Sequence, residues 1–232
     1  MKIQALVFDL DDTLMDTHGQ LVPEAHRQAC FAMRKSGLDI PFETLYEARM
    51  RLVDAFPRGD INQLLAEHFS CDNPEIAAAG HQAYFNPQIG RLAPFPGVPE
   101  MLADLQQGFR LFLLTSGYQA PQTQKVNALG IGSLFEQIYY ASIDDPAGKK
   151  YALEQIARDY TLDFSQIMVI GDRINNEILW GNRLGCQTVW IQQGECANIV
   201  PEAPDEQPHH QLAAVTELPQ LLNTLPLTRI EH

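Results

Sequence analysis

The sequence predicts an α/β protein with a Rossmann-like, doubly wound parallel sheet and an all-helical segment inserted after the first strand. From Phe95 onward, short apolar segments alternate with stretches of helical periodicity, which is typical of a parallel sheet with helices on both faces. Between Asp16 and Pro94 the periodicity is helical and is broken at glycine and proline positions. We therefore expect a core of residues 1–15 and 95–232 and a helical insertion of residues 16–94.

The predicted strands are short and mostly apolar. The first, Ile3–Phe8, is apolar except for Gln4, as expected for a strand that is buried on both faces. The others are Leu111–Leu114, Gln137–Ala141, Ile167–Ile170, Thr188–Ile191 and a short strand near Leu212–Val215. Because helical segments separate most of these strands, we expect them to run parallel.

Helical spacing of apolar residues predicts helices in both parts of the chain. In the insertion these are Glu24–Lys35, Phe42–Ala55, Ile61–Phe69 and Pro74–Phe85. In the core they are Val98–Gln107, Gln119–Leu129, Lys149–Tyr160, Ile174–Leu184 and Glu217–Asn223. Two of the core helices are predicted to end at the glycines that follow them, Gly130 and Gly185.

Composition narrows the possible functions. The net charge of −13 argues against binding to nucleic acid or to an acidic membrane, since both depend on basic surface. No apolar run approaches the ~20 residues of a membrane-spanning helix. The four cysteines are scattered and form no Cys-x-x-Cys pair, which favours reduced thiols over a disulfide framework or a zinc site. Because Met1-Lys2 leads directly into the first strand, we expect no signal peptide and a cytoplasmic protein.

A group of carboxylates follows the first strand directly, in Asp9-Leu10-Asp11-Asp12-Thr13. Alternate residues of an extended chain share a face, so Asp9 and Asp11 can point the same way. Carboxylates this close repel one another unless a cation or a shared proton lies between them. The pattern indicates a metal-assisted site in which one carboxylate attacks and the other moves protons. The structural alternative is a polar turn that caps the next helix.

Other predicted strands also end in polar residues, and the carboxyl ends of parallel strands meet at one edge of the sheet. The second strand runs into Thr115-Ser116-Gly117, where hydroxyl and backbone N–H groups can bind phosphate. The fourth runs into Gly171-Asp172, with Glu177 shortly after it, and Lys149 opens the helix between these strands. Each residue alone has a structural alternative as a cap, a turn or a surface lysine. Their common position favours a shared site.

These residues resemble the four motifs of the haloacid dehalogenase-like (HAD) hydrolase superfamily. The first motif, Asp-x-Asp-x-Thr, is matched from Asp9, and the second, a strand ending in Thr or Ser, is matched by Thr115. The third, a lysine, is matched by Lys149 with Lys150 as a rival, and the fourth, Gly-Asp followed by a second acid, by Gly171-Asp172 and Glu177. The chain looks like the phosphoglycolate-phosphatase-like branch, in which a helical cap lies between the first and second motifs.

Two departures from the family pattern concern residues of the expected site. Ser116 stands where many members carry Asn, and the second acid of the fourth motif is Glu177, with Asn176 beside it, rather than Asp. The resemblance implies that either Glu177 or Asn176 holds a metal-bound water or orients Asp172.

The resemblance implies a phosphatase that acts on a small phosphate ester through an aspartyl-phosphate. Asp9 would be the nucleophile, and Asp11 the general acid and then the base. Mg²⁺ would be bound by Asp9, the backbone carbonyl of Asp11, and Asp172. The phosphoryl oxygens would be held by Thr115, Ser116 and Lys149.

Three alternatives lie within or beside this family. A phosphomutase would use the same core residues and stays open. A 2-haloacid dehalogenase needs the nucleophile but has no use for Asp11 or Asp172. A non-catalytic binding protein would not require Asp11.

Within the insertion, Arg49, Arg51 and Arg58 are candidate contacts for a polar leaving group, although each has the alternative of a surface arginine.

Overall fold

The computed structural model describes residues 3–57, 59–142, 144–145 and 147–225, except for the side chain of Glu195. The chain divides into two compact units, one formed by Met1–His18 with Arg91–His232 and the other by Gly19–Gly90. We call them the sheet unit and the helical unit. Within the described ranges, no helix is both long enough and apolar enough to cross a membrane.

The sheet unit contains six strands that all pair in parallel, in the order β3-β2-β1-β4-β5-β6. The strands are β1 Ala5–Phe8, β2 Arg110–Ser116, β3 Gln137–Ala141, β4 Ile167–Gly171, β5 Gln187–Ile191 and β6 His210–Leu212. The chain winds outward from β1 in one direction and then from β4 in the other. The prediction of a doubly wound parallel sheet is therefore confirmed.

Helices connect the strands and form the helical unit. They are α1 Thr17–Gln20, α2 Val22–Lys35, α3 Phe42–Ala55, α4 Ile61–His68, α5 Pro74–Phe85, α6 Val98–Leu105, α7 Gln119–Leu129, α8 Gly148–Asp159, α9 Leu179–Leu184 and α10 Leu218–Thr224. A π-helical turn, Ile174–Ile178, leads directly into α9.

Alternation along the strands builds a hydrophobic core on each face of the sheet. Leu6 and Phe8 point into one core with apolar side chains of α6, α7 and α10. Ala5 and Val7 point into the other, with apolar side chains of α8. Because successive residues of a strand face opposite ways, a strand covered on both sides must be apolar throughout. This is the reason for the unbroken apolar pattern of β1.

The helical unit has its own core, in which each of its four longer helices takes part. Met33 of α2, Leu45 of α3, Leu65 of α4 and Ile76 of α5 are buried together. Side-chain carboxyl and amide oxygens cap two of these helices: Asp60 accepts N–H bonds at the start of α4, and Asn73 accepts one at the start of α5.

Local differences from the prediction occur in the sheet unit. The last strand is β6, and Val215 instead opens a 3₁₀ turn, so the predicted strand at Leu212–Val215 was wrong in its bounds. The bounds of β6 are set by its register with β5, because His210–Leu212 pairs with Val189–Ile191. Helix α1 was not predicted, because at about one turn it is too short for hydrophobic periodicity to reveal. The predicted helix Ile174–Leu184 is present, but its first five residues, Ile174–Ile178, form a π-helical turn rather than α-helix.

Candidate active site

The carboxyl ends of β1 and β4 place two acidic residues next to each other. Phe8 pairs with Ile170, and the N–H of Asp9 donates to the carbonyl of Ile170 at 2.9 Å. Asp9 therefore lies beside the segment that carries Asp172. This is the point at which the sheet changes winding direction, where open α/β sheets bind their ligands.

Lys149 is buried among the acids of this edge. Its Nζ donates to Oδ1 of Asp9 at 2.5 Å and to Oε1 of Glu177. The other Glu177 oxygen accepts the N–H of Arg173 at 3.2 Å. A Cβ at Gly171 would lie 2.5 Å from Cγ of Glu177, so a glycine is required there for Glu177 to reach the lysine. The predicted residues Asp9, Lys149 and Glu177 thus form one contact group.

The choice between Lys149 and Lys150 follows from helix geometry. Lys149 shares the inward face of α8 with Ala152, Leu153 and Ile156, and only 2% of it is exposed. Lys150 is half-buried and its Nζ lies 3.6 Å from Glu154 on the same helix. The structure therefore brings Lys149, rather than Lys150, to Asp9.

The electrostatics of this edge favour a bound cation. Burial, together with the nearby Glu177 and Asp11 carboxylates, raises the pKa of Asp9 to about 7, although Lys149 opposes the shift. Burial, followed by repulsion from Asp9 and Glu177, raises the pKa of Asp172 to about 9. Burial alone would lower the pKa of Lys149, but Asp9 and Glu177 outweigh it and raise that pKa. The carboxyl groups of Asp9, Glu177 and Asp172 thus all interact electrostatically with one lysine, Lys149.

The predicted Mg²⁺ ligands fit a hard divalent cation. The Oδ1 atom of Asp172 is buried and has no hydrogen-bond partner among the described residues. The backbone of Asp172 is fixed by Trp190, whose Nε1 donates to its carbonyl at 2.8 Å. Within the described ranges, no three or more His, Cys, Asp or Glu residues form a metal-binding group. The predicted set does not require three, because it combines Asp9 and Asp172 with the Asp11 carbonyl.

The predicted phosphate-binding residues lie at the end of β2. Thr115 is fully buried, and its Oγ1 has no hydrogen-bond partner in the described part of the chain. A buried hydroxyl without a partner is suited to donate a hydrogen bond to a phosphate group. Ser116 is half-buried, and its carbonyl accepts a 2.5 Å bond from Nε2 of Gln122. Asn176 is half-buried within the π-helical turn, where its backbone N–H donates to the carbonyl of Arg173.

Asp11 is surrounded by donors that the sequence analysis did not find. Nζ of Lys125 lies 2.7 and 2.9 Å from its two oxygens, and Oγ1 of Thr17 donates to Oδ1 at 2.6 Å. Nε2 of Gln122 donates to Oδ2 at 3.2 Å. Burial would raise the pKa of Asp11, but the Lys125 ammonium and these hydrogen bonds hold it below its usual value.

A signal for these donors was present in the sequence. Gln122 and Lys125 occupy the inward face of α7 together with Val126 and Leu129, at spacings of three, four and seven residues. Polar residues at core positions of an amphipathic helix need a buried partner, and here that partner is Asp11.

Asp12 caps the next helix, which is the structural alternative that the sequence offered for the whole motif. It adopts a left-handed conformation with φ of 54°, which turns the chain after β1. Its Oδ1 accepts the N–H groups of Thr17 and His18 at 3.0 and 3.3 Å at the start of α1. The capping role therefore belongs to Asp12, whereas the chemical role was predicted for Asp9 and Asp11 of the same motif.

Two of the three candidate arginines of the insertion can be placed. Arg49 is buried inside the helical unit, where its Nε donates to Nδ1 of His26 and its Nη1 to Oδ1 of Asn62, both at 2.9 Å. Arg51 is exposed and lies 3.3 Å from Glu47. Arg58 lies outside the described residues.

The parallel sheet, with acids, a hydroxyl and a lysine gathered at one edge, defines a class of hydrolase. The chain belongs to the haloacid dehalogenase-like hydrolase family, whose model matches residues 3–185. The resemblance inferred from the four motifs is thereby confirmed.

Relatives within this family carry phosphatase names. The chain is 31% identical to glyceraldehyde 3-phosphate phosphatase of Pyrococcus abyssi, with 83% of each chain covered. It is 30% identical to the enzyme of the same name from Methanopyrus kandleri, over 96% of this chain and 98% of the relative. A crystal structure described as a predicted phosphoglycolate phosphatase from Haemophilus somnus has the same fold, with a TM-score of 0.66, 20% identity and coverage of 96% and 99%.

Proposed function

We propose that the chain, a phosphatase of the HAD family, hydrolyses a small phosphorylated metabolite through an aspartyl-phosphate on Asp9, with Mg²⁺ as cofactor. The observation that carries this proposal is the buried group of Asp9, Asp172 and Lys149 at one sheet edge. Two relatives named glyceraldehyde 3-phosphate phosphatase, at 30–31% identity, support a short phosphorylated aldehyde or sugar as the substrate class.

In the first step, a carboxylate oxygen of Asp9 attacks phosphorus, and the bond from phosphorus to the ester oxygen breaks. The carboxyl of Asp11 gives its proton to that oxygen, so the product leaves as an alcohol. Lys149, Thr115 and Ser116 hold the phosphoryl oxygens and stabilise their charge. When bound to Asp9, the Asp11 carbonyl and Asp172, Mg²⁺ would neutralise the acids and stabilise charge on the transferred group.

In the second step, the carboxylate of Asp11 takes a proton from water as the water oxygen attacks phosphorus. The bond between phosphorus and the Asp9 oxygen breaks, which releases inorganic phosphate and restores the Asp9 carboxylate. Asp11 ends the cycle protonated and ready for the next ester. The ion pair with Lys125 favours the ionised form of Asp11, so it supports the base role of this step and opposes the acid role of the first.

The contacts of Glu177 indicate its role beside Lys149. Glu177 orients Lys149 and balances its charge, since one oxygen of Glu177 binds Nζ and the other accepts the N–H of Arg173. Asn176 stays a candidate to hold a metal-bound water or to orient Asp172. The helical unit Gly19–Gly90 is proposed to act as the cap that selects the leaving group.

The test is a phosphate-release assay on glyceraldehyde 3-phosphate and phosphoglycolate, with Mg²⁺ and with a chelator. We expect Mg²⁺-dependent release of inorganic phosphate, and we expect Asp9→Asn to reduce it by at least about 10³-fold, because the nucleophile is lost. Phosphate release that persists in Asp9→Asn would exclude the proposed nucleophile. Transfer of phosphate to a second position of the substrate, without release, would instead identify a phosphomutase.

A further inference from the structure

Helix α7 connects the proposed acid and base, Asp11, to the strand that carries the proposed phosphate donors. Gln122 donates one hydrogen bond to Oδ2 of Asp11 at 3.2 Å and another to the carbonyl of Ser116 at 2.5 Å. Lys125, one turn further along the same face, contacts both oxygens of Asp11. The orientation of the Asp11 carboxylate is therefore set by α7 together with the Thr17 hydroxyl, and not by β1 alone.

The backbone after β2 makes room for this connection. Gly117 has a φ of 142°, and a Cβ on it would lie 2.7 Å from Nε2 of Gln122. Gln122 and Lys125 are 5% and 8% exposed, so both polar side chains have given up most of their water. Such a loss is costly unless the groups are paired, and Nε2 of Gln122 and Nζ of Lys125 both pair with Asp11, whereas Oε1 of Gln122 is buried without a hydrogen-bond partner among the described residues.

We infer that Lys125 and Gln122 are positioning residues, which hold the Asp11 carboxylate in the orientation from which it activates water against the phosphorylated Asp9. This inference rests on the role proposed for Asp11. It assigns the two residues to the second step of the reaction, in which a poorly aimed base slows attack by water. The first step with an activated leaving group needs little help from an acid and should be nearly independent of them.

The experiment measures the two steps separately with p-nitrophenyl phosphate and Mg²⁺. In stopped flow, the burst of p-nitrophenol reports phosphorylation of Asp9, and the steady phase reports hydrolysis of the phosphorylated enzyme. For Lys125→Met we expect the steady rate to fall at least about tenfold, since general base catalysis supplies roughly 10²–10⁴-fold. The value of kcat/KM should stay within about threefold, and a burst approaching one product per enzyme should accompany the slow phase.

Further variants separate positioning from folding. Gln122→Met should show the same pattern with a smaller fall, and Lys125→Arg should restore part of the steady rate because it keeps the charge. Lys150→Met removes a lysine of the sheet unit whose Nζ is paired with Glu154, and it should match the unmodified enzyme. A fall in kcat and kcat/KM together without a burst, or no change in either variant of α7, would overturn the inference.

Asp11→Asn distinguishes failure of this inference from failure of the proposed function. If Asp11→Asn accumulates phosphorylated enzyme but Lys125→Met and Gln122→Met do not, Asp11 is the base and α7 does not position it. If Asp11→Asn leaves the steady phase unchanged, the role proposed for Asp11 is itself wrong, and the inference about α7 fails with it.

Discussion

Both units of the molecule bury a cation, but they surround it with different partners. Lys149 of the sheet unit lies against two carboxylates, with Asp172 close enough to be affected by the same charges. Arg49 of the helical unit is 1% exposed and is bound by a histidine nitrogen and an amide oxygen, with its guanidinium 5.4 Å from the ring of Tyr84. Among the described residues, no carboxylate forms an ion pair with Arg49.

The difference is the one we expect between a group of residues placed for chemistry and one placed for packing. Around Lys149 the carboxyl groups outnumber the lysine, so they cannot all ionise without repulsion, and either protons or a metal ion can relieve it. Around Arg49 two neutral partners accept hydrogen bonds from Nε and Nη1 without gathering charge, and burial lowers the pKa of the guanidinium. Clustered like charges are costly to folding and are retained at functional sites, whereas a cation bound by neutral groups stabilises one packing arrangement.

The largest effect should come from the cation of the sheet unit. Lys149→Met should lower kcat/KM for a phosphate ester by about 10²–10³-fold, as expected when one donor to a transferring group is lost. Lys150→Met is the neighbouring control and should stay within about threefold, because its Nζ is paired with Glu154 on the helix surface. Steady-state kinetics of both variants test the assignment, and equal losses in the two would contradict it.

The fold, and the position of the acids of the candidate site at the sheet edge, were predictable because their signals are local. A strand buried on both faces is apolar throughout, and the residues directly after such strands, Asp9 and Asp172 among them, reach the carboxyl edge of the sheet whatever the side-chain details. The prediction of six strands in a doubly wound order needed only this alternation. The bounds of β6 were missed because a three-residue strand depends on its register with β5.

The partners of Asp11 were not predicted because they depend on tertiary packing. Lys125 and Asp11 are 114 residues apart in sequence, and only the path of the chain from β2 through α7 brings them together. The surroundings of Arg49 have the same origin, since α2, α3 and α4 each contribute one member of the group. A polar residue on the inward face of a helix indicates a buried partner but does not identify it.

Mg²⁺ should stabilise the sheet unit in a pH-dependent way. The pKa values of Asp9 and Asp172 in the folded chain, about 7 and about 9, lie above the ordinary 3.8. In the metal-free protein these two groups therefore contribute stability that is complete below pH 3.8 and is lost as the pH rises through 7 to 9. Mg²⁺ competes with the protons for the same oxygens, so it binds better as they leave.

Thermal unfolding with and without Mg²⁺ measures this effect. At a concentration of 100 Kd the ion should add about 2.7 kcal/mol. At a fixed concentration, the rise in Tm should be larger at pH 8 than at pH 5.5. Asp172→Asn should remove most of the rise, because it takes away one of the two proposed carboxylate ligands. A rise in Tm of equal size at both pH values would show that the ion binds elsewhere.

Arg49→Met should act on stability rather than on chemistry. The change leaves His26 and Asn62 buried without their donor, at a cost of about 1–3 kcal/mol. Urea unfolding followed by far-UV circular dichroism measures this loss. Tryptophan fluorescence would report the wrong unit, since Trp180 and Trp190 both lie in the sheet unit. In the absence of urea and at a temperature well below Tm, we expect kcat and KM to change by less than about threefold. A raised KM with unchanged stability would instead assign Arg49 to the leaving group.

The smallest effect should come from Arg51, two residues along the same helix. Its side chain is 78% exposed and lies 3.3 Å from Glu47, one turn earlier on α3. An exposed pair of this kind contributes about 0.3–0.5 kcal/mol, and salt screens it. Arg51→Met should therefore lower the free energy of unfolding by no more than about 0.5 kcal/mol, and the difference should vanish in 1 M NaCl. Because Arg49→Met and Arg51→Met remove the same group from one helix, the gap between their unfolding energies measures the contribution of the buried surroundings of Arg49, which are His26, Asn62 and the ring of Tyr84. Similar losses in both would mean that these surroundings contribute nothing beyond the helix itself.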